Sequence, residues 1–275
     1  MTMSTFGHDG IAFHYLDAGE GIPFIYQHGL GGDVSQPLDL FAAPFPFRLL
    51  LLDCRGHGKT TPLGDVAKLN FRVFASDVAA WLDHLKIERV VMGGGSMGAG
   101  VALAFALAYP ARLLGLVLSR PAWLDYPLPA NLRVFPEIGR LIQDHGPTVG
   151  RERFLAGESY RAMAATSPIN AASLLDQFAR PRIEERWVLL NRLPNDAPAT
   201  DRAAWATIQT PTLVVVNDHD PVHPREFGET LAQAIPGSEL VTITPKGADQ
   251  RRHATELDVA VRRFIATRCL SERAV

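Results

Sequence analysis

The chain has 275 residues, 47% of them hydrophobic, and its 27 Lys and Arg nearly balance 29 Asp and Glu, for a formal net charge of -2. This composition is typical of a globular protein, and the balanced charge excludes the strongly basic surface that nucleic acids or anionic membranes attract. We therefore expect a small-molecule substrate, no nucleic acid or membrane partner, and a monomer or homodimer. Two distant cysteines, Cys54 and Cys269, and a start without signal-peptide features predict a cytoplasmic protein without disulfides.

Short apolar runs alternate with segments of helical periodicity, the pattern of a mostly parallel sheet with helices on both faces. Phe74, Val78 and Trp81 recur at helical spacing and predict an amphipathic helix. A second helix, apolar nearly all round, begins after Ser96 and ends at Tyr109. The predicted strands of this half are Ile11 to Asp17, Pro23 to Gln27, Arg48 to Asp53, Arg89 to Met92 and Leu113 to Ser119.

From Pro121 onwards the composition changes, because prolines break the chain and about 80 residues then show helical patterns without a clear strand. We predict a helical lid over residues 121–205, inserted into a core formed by residues 1–120 and 206–275. Trp123, an aromatic residue of this insertion, is a candidate substrate contact, and packing against the lid's own helices is the alternative interpretation. Predicted lid helices are Leu132 to Asp144, Ala171 to Ala179 and Ile183 to Asn191, and later strands are Thr210 to Val216 and Glu239 to Thr244.

Ser96 stands in the stretch Gly94-Gly95-Ser96-Met97-Gly98, a G-x-S-x-G pattern between a predicted strand and a predicted helix. Small residues on both sides of the turn allow a sharp corner that raises the serine hydroxyl above the sheet. The helix that follows directs its backbone N–H groups and its positive dipole end to the same place. This context predicts a nucleophile in a site that stabilises developing negative charge.

A glycine-rich loop, His28-Gly29-Leu30-Gly31-Gly32, follows the second predicted strand. The N–H groups of Leu30 and Met97 are candidate donors of an oxyanion hole, and each could stabilise the transition state by roughly 3 kcal/mol. A plain glycine-rich turn is the alternative interpretation. We also predict that His28 contacts the substrate.

These motifs, together with Asp53-Cys54-Arg55-Gly56-His57-Gly58 and the stretch from Asn217 to Pro224, resemble the α/β-hydrolase fold family, specifically its lidded esterase, lactonase and carbon–carbon hydrolase branch. The resemblance covers both ends of the core but not the lid. It implies an α/β fold with a mostly parallel sheet, no cofactor, and a Ser, Asp, His triad in that chain order. It also implies structural roles for Arg55 and His57, and it favours Asp220 as the acid, with Asp218 as a nearby rival.

The base is where the sequence departs from the family, which commonly has Gly-His directly after the last strand. This chain has no histidine there, and His253 is the only histidine in the sequence after the last predicted strand. His253 shares a helical stripe with Leu257 and Val261, so we predict that it lies on the core-facing side of the first turn of the final helix. The alternative is a capping or surface histidine, with the base lost or supplied by another residue. His28, His219 and His223 lack the spacing of a zinc site, so no metal is expected.

The predicted reaction is a two-step acyl transfer from a small ester or lactone to water, with Ser96 as nucleophile, His253 as base and Asp220 orienting the base. Related dehalogenases and epoxide hydrolases resemble the chain but use Asp where Ser96 stands, so they are disfavoured. A carbon–carbon bond hydrolase or another triad-dependent enzyme of the fold stays open as an alternative. So does a non-catalytic receptor for a small molecule.

Overall fold

The structure, a computed structural model, describes residues 1–269, and its centre is one eight-stranded sheet. The strands are β1 (Thr2–His8), β2 (Ile11–Ala18), β3 (Pro23–Gln27), β4 (Arg48–Leu52), β5 (Val90–Gly95), β6 (Leu113–Ser119), β7 (Thr212–Val216) and β8 (Glu239–Thr242). They lie in the order β1-β2-β4-β3-β5-β6-β7-β8. The β1–β2 and β2–β4 pairs are antiparallel, and every pair from β4 to β8 is parallel. The predicted fold class is thereby confirmed.

The helices connect these strands. They are α1 (Ser35–Leu38), α2 (Phe71–His84), α3 (Met97–Ala108), α4 (Val134–Ala156), α5 (Glu158–Thr166), α6 (Pro168–Asp176), α7 (Ile183–Arg192), α8 (Arg225–Ala234) and α9 (Gln250–Phe264). We call α4 to α7, which lie between β6 and β7, the inserted helices. The α4 segment contains a break at Gly146, where φ is 74°. Across residues 1–269, no helix combines the length and the apolar character that crossing a membrane requires.

The centre of the sheet is the part of the core that positions the site. All residues of β6 and β7 are buried, as parallel strands covered on both faces should be. Helix α3 is buried along ten of its twelve residues, from Met97 to Ala106. Because β3, β5, β6 and β7 are neighbouring parallel strands, their carboxyl ends share one edge, where such sheets bind their ligands. The segments that follow them carry Leu30, Ser96, Arg120 and Asp220 to that edge.

The segment after β4 has the structural character expected from the sequence. Nε and Nη2 of Arg55 donate to the two oxygens of Asp77 at 3.0 and 2.7 Å, and both side chains are buried. Nδ1 of His57 lies 3.0 Å from the Arg55 carbonyl oxygen. These contacts fix the loop that runs beside the glycine-rich segment after β3.

Candidate active site

Ser96 occupies a sharp corner between β5 and α3. Its backbone has φ 58° and ψ -117°, a region that non-glycine residues enter only when the surroundings enforce it. The Ser96 N–H group donates to the Ser119 carbonyl oxygen at 3.0 Å. A Cβ atom at Gly94 would lie 2.3 Å from the Gly98 carbonyl carbon, and one at Gly98 would lie 2.2 Å from the Gln27 carbonyl oxygen. The glycines of the motif are therefore required by close packing at this corner.

Two backbone N–H groups are available beside the corner. The loop after β3 turns tightly, because the Gly32 N–H group donates to the Gly29 carbonyl oxygen at 2.9 Å. Met97 is the first residue of α3, where N–H groups lack partners within the helix. Within residues 1–269, the structure gives no hydrogen bond from the N–H group of either Leu30 or Met97. Their role as an oxyanion hole stays a prediction, and both donors are free to fill it.

Ser96 faces a cavity of about 470 Å³, which we call the Ser96 cavity. Its wall combines core segments with the inserted helices, which contribute Phe135 from α4 and Asn170 and Leu174 from α6. Core residues of the wall include Leu30, Arg120, His223, Lys246 and His253. The cavity therefore brings a hydroxyl, the imidazoles of His28, His223 and His253, and several cationic groups into one space.

Asp220, the predicted acid, lies in the loop after β7 and accepts hydrogen bonds from three side chains. Nε and Nη2 of Arg120 donate to Oδ2 at 3.2 and 2.7 Å, and Nδ2 of Asn170 donates to Oδ1 at 2.8 Å. Nδ1 of His223 lies 3.0 Å from both carboxylate oxygens. Burial alone would raise the pKa of the Asp220 carboxyl, but His223, Arg120 and Asn170 together hold it well below its usual range. The group is a carboxylate at neutral pH.

His253, the predicted base, lies on the buried side of the first turn of α9, with 3% of its surface exposed. Its Nδ1 atom lies 2.8 Å from the Thr244 carbonyl oxygen, so it carries the proton of the neutral ring and leaves a lone pair on Nε2. Burial is the main cause that lowers the pKa of His253, with Arg120 and Lys246 contributing, whereas the Thr244 contact raises it.

The three predicted triad residues are close to one cavity but are not connected to each other. In the described part of the chain, no hydrogen bond joins His253 to Asp220 or to the Ser96 hydroxyl. Catalytic hydrogen bonds are often longer without substrate, so the triad stays a prediction. Asp218, the rival acid, pairs with Arg225 at 2.9 Å.

The two predicted substrate contacts differ in position. His28 lines the Ser96 cavity, but its Nδ1 lies 2.8 Å from the Gly29 carbonyl oxygen and its Nε2 accepts from the Cys54 N–H group at 3.0 Å. Both ring nitrogens therefore hold the loop. Trp123 lies outside the wall of this cavity; its indole N–H group donates to the Leu193 carbonyl oxygen, and its ring packs edge-on against Phe71. The buried position of Trp123 makes it a packing residue and does not support the predicted substrate contact.

Sequence reasoning missed three residues that surround the acid. His223 was considered only as a metal ligand, and Arg120 and Asn170 were not considered. One signal was available, because Arg120 directly follows β6, which lies between β5 and β7 in the sheet. The carboxyl end of this strand had to lie between Ser96 and Asp220.

Comparisons with known proteins agree with the fold described above. A family model for the alpha/beta hydrolase fold matches residues 22–249. The chain is 30% identical over 275 residues to a 2-hydroxy-6-oxononadienedioate/2-hydroxy-6-oxononatrienedioate hydrolase of Paraburkholderia xenovorans, covering 94% of this chain and 92% of that protein. It is 34% identical to a probable proline iminopeptidase of Leptolyngbya boryana, covering 82% of this chain and 81% of that protein. A thermophilic esterase from Thermogutta terrifontis, solved with malate bound, superposes with a TM-score of 0.70 at 25% identity, covering 95% of this chain and 97% of that chain.

Proposed function

We propose a reaction for this chain, which belongs to the α/β-hydrolase fold family and is a hydrolytic enzyme. The reaction is hydrolysis of a small ester or lactone through an acyl-enzyme on Ser96. One observation carries this proposal: a serine held at φ 58° in a cavity wall, next to two backbone N–H groups without partners in residues 1–269. Such a corner is strained, and strain of this kind is maintained where it positions a reacting group.

The steps follow from the groups in the cavity. The Ser96 oxygen attacks the carbonyl carbon while an imidazole accepts its proton, and the N–H groups of Leu30 and Met97 bind the oxyanion. Collapse of the intermediate expels the leaving group, which receives the proton, and water then releases the acid by the same route. His253 is the base that the sequence predicts, and its lone pair on Nε2 suits that role.

The inserted helices have a proposed role as the lid. Residues of α4 and α6 form part of the wall above Ser96, so movement of these helices would open or close the cavity. A closed lid excludes water from the acyl-enzyme until the leaving group has departed. Closure would also strengthen the interactions of charged groups in the cavity.

Cleavage of a carbon–carbon bond next to a ketone is the second candidate reaction. It is favoured by the similarity over nearly the whole chain to the hydrolase of Paraburkholderia xenovorans. The same nucleophile and oxyanion donors serve both reactions, and only the leaving group differs.

Labelling with a fluorophosphonate probe and a substrate panel test the proposal. We expect stoichiometric labelling of the wild type and no labelling of Ser96→Ala. Ser76→Ala, a control in α2 outside the G-x-S-x-G motif, should be labelled normally. The panel contains p-nitrophenyl acetate, γ-butyrolactone and a vinylogous 1,5-diketone. Full turnover of every active substrate by Ser96→Ala would refute the proposal, and an unlabelled wild type that binds ligands saturably would indicate a receptor.

A further inference from the structure

We propose that His223, held by Asp220, is the general base that activates Ser96. The inference rests on the proposed function, because it assigns the proton acceptor of that reaction. It departs from the sequence-based choice of His253. The observation behind it is that the acid of the site is already bonded to an imidazole of the Ser96 cavity.

A short turn after β7 fixes the His223 ring against the carboxylate. The His223 N–H group donates to the Asp220 carbonyl oxygen at 3.1 Å and lies 3.2 Å from Oδ1 of the same residue. Nδ1 of the ring is 3.0 Å from both carboxylate oxygens, and the side chain is only 9% exposed. The ring thus has a defined orientation, which a catalytic base requires before the substrate arrives.

Two partners compete for the His223 Nδ1 atom, and their competition decides which nitrogen can act as base. Nη2 of Arg120 lies 2.9 Å away and would donate to an unprotonated Nδ1. However, Arg120 already donates to Asp220 through Nε and one hydrogen of Nη2, so only the second hydrogen of Nη2 is left for Nδ1. A carboxylate that faces Nδ1 with both oxygens favours the ring form with a proton on Nδ1. That form has its lone pair on Nε2, as a base for a serine hydroxyl needs.

Burial and the neighbouring cations keep the His223 ring neutral. Burial lowers the pKa of His223 and is the largest cause; Arg120 and Lys246 lower it too, whereas Asp220 raises it by its charge and its hydrogen bond. A neutral imidazole can accept a proton at physiological pH. The adjacent carboxylate then stabilises the imidazolium that forms during the reaction.

His253 has a weaker partner. Its Nδ1 atom faces a backbone carbonyl of Thr244, not a carboxylate. Hydrogen bonds to charged acceptors are roughly twice as strong as those to neutral acceptors. The protonated state of His253 therefore gains less from its partner than that of His223 gains from Asp220. The comparison favours His223 as the proton acceptor and leaves His253 as part of the wall.

The proton balance is complete without another reactant. As the bond between the Ser96 oxygen and the carbonyl carbon forms, Nε2 of His223 takes the hydroxyl proton. That proton passes to the leaving group as its bond to the carbonyl carbon breaks. In the second half, Nε2 takes a proton from water, the water oxygen bonds to the carbonyl carbon, and the proton returns to the Ser96 oxygen as its acyl bond breaks.

Single and double variants assayed with p-nitrophenyl acetate test the assignment. We expect His223→Ala to lower kcat/KM by about 10²–10⁴-fold, the range for loss of a general base, and His253→Ala to lower it less than tenfold. Added imidazole should restore activity to His223→Ala and not to His253→Ala. A greater loss in His253→Ala, or rescue of that variant alone, would overturn the assignment.

Combining each variant with Asp220→Asn gives a second readout. A merely structural role for His223 would not produce the result expected here. Asp220→Asn should lower kcat/KM strongly in wild type and in His253→Ala, but by less than threefold in His223→Ala. An added loss above tenfold in His223→Ala contradicts the proposal. His223→Gln, which keeps a polar side chain, replaces His223→Ala if urea unfolding shows that the latter is unfolded. Turnover by Ser96→Ala would instead refute the proposed function, so the two failures are distinguishable.

Discussion

Gly98→Ala tests whether the packing of the serine corner controls catalysis. The new Cβ atom would lie 2.2 Å from the Gln27 carbonyl oxygen and 2.6 Å from its carbonyl carbon. Ordinary contacts between carbon atoms need about 3.5 Å, so α3 and the end of β3 must separate by roughly 1 Å. Gln27 leads into the loop of Leu30, and Gly98 follows Met97, so the separation moves the two predicted oxyanion donors apart. A displacement of this size costs about 10²-fold in rate, and the overpacking itself costs about 1–3 kcal/mol of stability.

The assay is kcat/KM for p-nitrophenyl acetate, together with the free energy of unfolding from urea titration. Gly7→Ala is the matched control, because a Cβ atom there meets no described atom within 4 Å. We expect the control to match wild type in both measurements. The reasoning is refuted if Gly98→Ala loses stability but keeps kcat/KM within threefold of wild type, because the corner would then tolerate the separation.

Two further predictions concern charged groups. Asp77→Ala leaves the buried Arg55 guanidinium without its main partner and should destabilise the protein by about 3–5 kcal/mol in urea titration. Asp125→Ala removes an exposed ion pair and should cost less than about 1 kcal/mol, so equal losses would contradict this prediction. Arg120→Gln removes a charge that lowers the pKa of His223. Because the base must be neutral, the acid limb of the kcat/KM profile should then move to higher pH. Arg120→Lys keeps the charge and should leave the limb in place. An unmoved limb in Arg120→Gln would show that another group titrates.

The sequence predicts the central sheet well because buried parallel strands are continuous apolar runs. The bounds of β3 and β6 agree exactly with the prediction. By contrast, β1 is missed because only Phe6 of its seven residues is buried, so it has no apolar run to recognise. Helix α5 is missed for a similar reason, because none of its residues is buried.

Within the site, periodicity locates His253 on the buried face of α9, as the structure confirms. It cannot tell which side chains meet the acid, because periodicity describes the faces of a single helix and not contacts within loops, such as that of His223, or between distant segments. Arg120 and Asn170 reach Asp220 from 100 and 50 residues away. The oxyanion donors, the acid and the base of the predicted mechanism therefore stay predictions.

The hydrogen bond from Asn170 to Asp220 has a consequence for engineering. Asn170 belongs to α6, so the chemistry of the core depends on one amide carried by the insertion. Transplanting a different cap onto this scaffold would remove that amide and leave Oδ1 of the carboxylate with one partner fewer, although every core position stayed intact and His223 and Arg120 would still keep the group ionised. Chimeras should therefore be compared with an Asn170→Ala variant of the parent, since otherwise the loss of this one hydrogen bond would be counted as an effect of cap shape.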